Sequence, residues 1–565
     1  MKYSVSITYK DLFDDYDTVD VNKFLADIPT KNSIQLISFF LAQIHLVHPD
    51  KELQVELIEF WSQRFPKDLK AKINQFTKST QANKNAEFTF ISNLSGLKFI
   101  EIILENHNEL NQLENLTPEQ ELNFFKAYLI STQLWIDKQG KLLFDIKPFE
   151  NGMDFVKTYL PSHIAIDEFH TVKDFRTQFV KAKYFFEFCE NDEEFKVYLD
   201  IFLKEYGLSS WATYLKNLLS LYVRKFERLK TTSVIKIKAE HKEQIKFLEQ
   251  LILNVSDFSK SDDFLKIREK PVYRLNETDF VFLSLNFLVD KIYQGIQFDF
   301  ARVLVDNSAT FKGKRIKSRV QFLGIFGDEF SETGMFYKIM EDCFKNSKYI
   351  VHNGVEIKKI ITSGEPDYYI RDKAKIYLFE FKNVFLSGKT KHTFEFETIK
   401  AGIYEKLVEN KEGTDKGIRQ LTAVIKKIRE KKFNKFDDYS FDDTIIYPII
   451  VFTDFSFNTA GVNYMLNKEF REYLENQEIE LRNKIKNLIM IDLDDFIKYQ
   501  DLYRTKKIKL NNLFNGFLDY VKGYRYFPNK FTPFEIYIDN RTNKEKSELS
   551  SNTIEEIAKL LGLSE

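Results

Sequence analysis

Apolar residues recur at helical spacing through most of the first 300 positions, with clear stripes over 34–46, 97–104, 198–229 and 241–253. Two weak breaks interrupt them, at 138–154, where Gly140, Pro148 and Gly152 cluster, and at the Ser/Asp/Lys-rich stretch 256–263. After residue 300 the pattern changes. Residues 376–384 (IYLFEFKNV) are rich in β-branched and aromatic side chains and read as a strand. Its two faces are both mostly apolar, as in a strand covered on both sides. The runs 445–452 and 488–493 predict further strands of the same sheet. Ahead of them, Met335, Phe336, Ile339, Met340, Cys343 and Phe344 repeat at helical spacing. At the end, residues 550–552 precede Thr553, Ile554, Glu555 and Glu556 in a capping-box pattern. Ile554, Ile557, Leu560 and Leu561 then form a stripe, with Gly562 as the stop. The pattern divides the chain into a mainly helical region (1–300), an α/β region (301–540) and an amphipathic C-terminal helix (541–565).

One stretch of the α/β region carries candidate chemistry. Gly364, Glu365, Pro366 and Asp367 are followed, thirteen residues after Asp367, by Glu380, Phe381 and Lys382. Alternation places Glu380 and Lys382 on one strand face. If residues 372–375 form the turn, Arg371 and Ile376 close the hairpin, Ile370 faces Tyr377, and Asp367 faces Glu380. Opposed residues hold their Cβ atoms about 5 Å apart. Two carboxylates so close repel each other, and burying such ions costs several kcal/mol apiece unless something compensates. A divalent cation compensates; so does an ion pair with Lys382, and both readings stand at this point. Magnesium is usually held by one or two carboxylates plus water and phosphate oxygens.

This arrangement resembles the PD-(D/E)xK signature of the restriction-endonuclease-like nuclease superfamily. The resemblance covers about residues 310–530 and leaves the first 300 unexplained. It implies an α/β fold with a mixed central sheet flanked by helices, here preceded by the large helical region. It implies Asp367 and Glu380 as ligands of Mg (or Mn), with the Phe381 carbonyl beside them, and Lys382 as the catalytic lysine. Such nucleases usually add an acidic residue from a helix before the hairpin, which points to Glu332 on the buried stripe, with Glu329 as the fallback. Many place a Lys or Gln on the helix after the catalytic strand, which points to Gln420, sharing a face with Lys416. The implied reaction is metal-assisted hydrolysis of a phosphodiester, with DNA the usual substrate. A nuclease joined to a large accessory region is similar to bacterial restriction or anti-phage defence effectors, in which the helical region would sense, bind a partner protein or form a homo-oligomer. The alternative is an idle nuclease-like scaffold that binds nucleic acid or protein.

The 565 residues carry a net charge of −1, so no global basic field marks a nucleic-acid binder. Basic residues gather locally instead, at 311–320, 426–435 and 504–509, all in the α/β region. Cys189 and Cys343 are too few for a disulfide framework or a Cys-based zinc site and fit a reducing cytoplasm. His45 and His48 read as structural. Ser387, Gly388, Lys389 and Thr390 look like the end of a phosphate-binding loop, but that motif needs a glycine where this chain has Asn383. The N-terminus lacks the apolar core of a signal peptide. No apolar run approaches the ~18 residues of a membrane span, so no membrane partner is expected.

Overall fold

The doubly apolar stretch becomes the middle strand of a five-stranded sheet. In the computed structural model, which describes residues 3–16, 20–46, 51–143, 150–222, 227–361, 364–479, 484–523, 527–542 and 551–562, this strand is Lys375–Lys382. Tyr368–Asp372 pairs antiparallel on one side, followed by Ile350–Asn353. On the other side Ile445–Phe452 and then Ile489–Asp492 run parallel to the middle strand. The chain is therefore α/β, with a mixed sheet at its centre.

Both faces of that sheet are covered by helices. One face carries Ile376, Leu378, Ile446, Ile450 and Met490, in a single core with the helices Phe396–Leu407, Gly417–Arg429 and Val462–Asn476. Across the opposite face, Phe381 stacks on Phe336 at 4.6 Å, Phe379 meets Phe496 at 6.1 Å, and Tyr377 meets Phe514 at 5.7 Å. The far end of the hairpin is pinned by Asp437. It takes two guanidinium bonds from Arg371, at 2.5 Å each, and one from the Tyr369 hydroxyl at 2.6 Å. Such charge-assisted, bidentate bonds are the stronger class and fix orientation as well as distance.

By contacts the chain falls into two units. The first comprises Met1–Asp145, Phe169–Gln178 and Val197–Val303; the second comprises Ile146–Glu168, Phe179–Lys196 and Leu304–Glu565. Two segments before residue 300 thus belong to the second unit. The reason is apolar: Phe155, Val156, Leu160 and Ile164, on or just after the helix Gly152–His163, are buried in the same core as the sheet.

The first unit is mainly helical around an aromatic centre, where Trp61 stacks on Phe40 at 4.5 Å and meets Phe124 and Tyr128 at 5.5 Å each. It also holds Tyr3–Ser6 paired with Ala86–Thr89, and a small sheet of Val234–Lys236, Asp279–Phe282 and Val272–Arg274. The continuous stripe expected over 198–229 is instead broken. One helix ends at Glu205, Gly207 takes a φ of +71°, and a second helix runs Trp211–Tyr222. Left-handed backbone is cheap for glycine and ends a helix. His45 is buried against the Tyr222 hydroxyl at 3.0 Å, while His48 lies outside the described residues.

The C-terminal helix spans Ser551–Leu561 and ends at Gly562, with φ +73°. Ile557 is buried, but Ile554 is 48% exposed and leaves the predicted stripe. Cys189 and Cys343 are buried and unbridged. Among the described residues no helix is long and apolar enough to cross a membrane.

Candidate active site

The hairpin pairs as counted from the sequence, with Arg371 opposite Ile376 and Ile370 opposite Tyr377. Its turn is tighter than expected. Asp372 pairs with Lys375, leaving Lys373 and Ala374 at the tip, and Lys373 adopts φ +56°. The register is unchanged, because the extra pair continues the same ladder. One step beyond Tyr368 and Phe379, Asp367 comes beside Glu380, and its Oδ2 accepts the Phe381 N–H at 2.6 Å.

Three charges meet at the end of the middle strand. Glu380 is 2% exposed, and its Oε1 accepts from the Lys382 ammonium at 2.7 Å. Its Oε2 is buried with no hydrogen-bond partner. Burial raises the Asp367 carboxyl to about 7, helped by the Glu380 charge and opposed by Lys382 and the Phe381 N–H. Burial also raises Glu380, against the pull of Lys382, with Glu332 and Glu365 adding to the rise. Burial alone would lower Lys382; Glu380 and Asp367 outweigh it and leave the ammonium above its ordinary range.

Glu332 reaches this group from a π-helical segment, Gly327–Phe336. The wider π turn is rare and often marks functional sites. Its five-residue spacing shows in the backbone bond from the Tyr337 N–H to the Glu332 carbonyl, and the Tyr337 hydroxyl donates to the Glu332 carboxylate as well. The charge of Glu332 bears on Glu380, Lys382 and Tyr337. Glu329, the fallback, is instead paired with Lys312 at 2.5 Å.

A half-buried polar chain ties this segment to the strand ends. Asn383 donates to Ser331 Oγ at 2.7 Å and accepts from Thr453 Oγ1 at 2.7 Å. Neither Asn383 nor Tyr337 stood out in the sequence, since an isolated Asn or Tyr has no signature until the elements meet.

Gln420 lies on the helix Gly417–Arg429, which covers the face bearing Glu380, and its Oε1 is buried without a partner. Lys416 does not share that face as expected. It precedes the helix in extended backbone (φ −126°, ψ 164°), because the helix begins at Gly417. The phosphate-loop look-alike is a short helix, Gly388–Lys391, whose cap Ser387 accepts the Thr390 N–H at 3.1 Å.

The basic runs are partly neutralised. Lys312 pairs with Glu329, Lys432 with Glu430, and Arg504 with Asp501. Lys427 reaches the motif, donating to the Gly364 carbonyl at 3.4 Å. A cavity of about 810 Å³ in the first unit, lined by Phe39, Phe60, Trp61 and Arg64 among others, includes none of the motif residues.

Among the described residues no three His, Cys, Asp or Glu side chains gather closely enough to hold a metal by themselves. A cation here would rest on Asp367 and Glu380, with the Phe381 carbonyl and water. The bare Glu380 Oε2 fits that role, since an unpaired buried carboxylate oxygen carries a desolvation cost that a cation removes. No known protein family, curated protein or solved structure matches the chain.

Proposed function

We propose that the second unit is a metal-dependent nuclease that hydrolyses phosphodiester bonds, with a restriction-endonuclease-like core and DNA as substrate. The observation that carries this reading is the opposed pair of half-buried Asp367 and buried Glu380, with one Glu380 oxygen bare and Lys382 on the same strand face. A half-satisfied buried carboxylate is costly, and a cation on the bare oxygen would remove that cost.

Asp367, Glu380 and the Phe381 carbonyl would hold Mg²⁺ or Mn²⁺. When bound, such an ion makes water a better nucleophile at neutral pH and offsets phosphate charge. Lys382, kept protonated by its two carboxylates, orients the attacking water and holds positive charge where the phosphorane-like oxygens develop theirs. Glu332, fixed by Tyr337, stands on the same group and presents a further acceptor. Gln420 offers a neutral acceptor from the covering helix. Lys427, beside Gly364, supplies positive charge for the nucleic-acid backbone. The first unit would then act as the sensing or partner-binding part of a defence effector.

The test is cleavage of supercoiled plasmid, single-stranded DNA and RNA with Mg²⁺ or Mn²⁺, comparing the unchanged chain with Lys382→Ala. Cleavage lost in the variant supports the reading and identifies the substrate class. Equal activity in both removes Lys382 from the mechanism. A second reading, a non-catalytic scaffold, is favoured by the 2.7 Å bond that already neutralises Lys382 with Glu380. It requires that Asp367→Ala leave cation uptake unchanged.

A further inference from the structure

Glu365 stands two residues before Asp367, across Pro366. Proline disfavours helical backbone at the residue before it. The two carboxylates therefore stay within one extended repeat, about 7 Å of chain. The Glu365 side chain is 18% exposed and its Oε1 lies 3.6 Å from the Lys358 ammonium. Its Oε2 is buried with no hydrogen-bond partner, the same state as Glu380 Oε2. The charge of Glu365 bears on both Asp367 and Glu380.

Lys358 does not account for this placement. Its side chain is 68% exposed, and an ion pair with so exposed and solvent-screened a partner contributes little. It also approaches only one of the two oxygens. Two bare oxygens beside one group of like charges lack a donor or a cation. Glu365 is set back from direct ligation, since no three carboxylates converge tightly enough to share an ion. Magnesium keeps several of its waters when bound, and carboxylates behind the ligands accept hydrogen bonds from such waters.

We propose that Glu365 is a positioning residue for the divalent cation held by Asp367 and Glu380, its bare oxygen accepting hydrogen bonds from water on that cation. This rests on the metal reading above. It adds a fourth acidic side chain to the site, and one that the signature motif does not contain.

Calorimetric titration of Mn²⁺ into the 565-residue chain, after chelator treatment, tests it alongside metal-free melting temperatures. Glu365→Gln should weaken Mn²⁺ about 10–100-fold, the usual effect of losing such a partner. The metal-free melting temperature should hold or rise, because Gln keeps the volume and removes a buried like charge. Lys358→Met, which breaks only the ion pair, should leave affinity within about twofold, far below the effect of a lost outer partner. Asp367→Asn should abolish uptake. Unchanged affinity in Glu365→Gln, with uptake lost in Asp367→Asn, overturns this inference alone. A lower metal-free melting temperature with unchanged affinity makes Glu365 structural and also overturns it. No uptake by the unchanged chain overturns it together with the metal reading.

Discussion

Lys382 satisfies one oxygen of Glu380 and leaves the other bare, so on the proposed reading this lysine serves charge balance and chemistry alike. Lys382→Ala should lower cleavage by about 100-fold or more, the scale of losing one preorganised donor. It should also cost about 3–5 kcal/mol of metal-free stability by stranding a buried charge. Adding Glu380→Gln should restore much of that stability and none of the cleavage, measured by urea unfolding and plasmid nicking. A separate residue answers to pH. Burial lowers His45 from 6.5 to about 4, so the unfolded chain binds a proton that the native one does not. The part of the stability that rests on neutral His45 should therefore be complete above about 6.5 and fall on acidification towards about 4. His45→Phe should flatten that limb of the unfolding profile.

Elements meet here with little slack. A Cβ on Gly354 would stand 2.8 Å from the Tyr337 hydroxyl, 3.2 Å from the Pro366 carbonyl and 3.4 Å from Asp367 Cα. Gly354→Ala would push the Tyr337 hydroxyl, and the Glu332 carboxylate bonded to it, away from the strand that begins after Asp367. We expect a stability loss of about 1–3 kcal/mol, as for overpacking, with a larger proportional loss of cleavage because Glu332 and Asp367 both move. Gly417 is equally constrained: its φ is +24° and a Cβ would lie 2.7 Å from the Leu407 carbonyl. That constraint starts the helix one residue later than the polar spacing suggested and takes Lys416 off the face of Gln420. Helical periodicity identifies which residues share a face, but the residue that starts the helix is set by what the chain passes on the way in.

At the scale of the molecule, the sheet-bearing unit recruits chain from before residue 300. Four side chains there, Phe155, Val156, Leu160 and Ile164, are buried in its core. At about 1.5–3 kcal/mol each they contribute about 6–12 kcal/mol, comparable to the whole stability of a typical domain, about 5–15 kcal/mol. A chain beginning at residue 304 should accordingly fail to give a cooperative unfolding transition by circular dichroism. Co-expression of residues 146–196 should improve its solubility.

What could be read along the chain was local. The strand at 375–382, its partner at 445–452, the hairpin register and the trio Asp367, Glu380 and Lys382 all follow from two-residue alternation and a count across one turn. The buried stripe from Met335 to Phe344 follows from helical spacing. Tertiary structure decided the rest. It set the π turn that aims Glu332, the Tyr337 and Asn383 bonds that hold it, the bare oxygens of Glu365, Glu380 and Gln420, and the passage of 146–168 into the second unit. Periodicity reports which way a side chain faces within its own element. Which partner it meets, and whether its polar atoms find one, depends on the packing of segments far apart in sequence, and no local pattern encodes that.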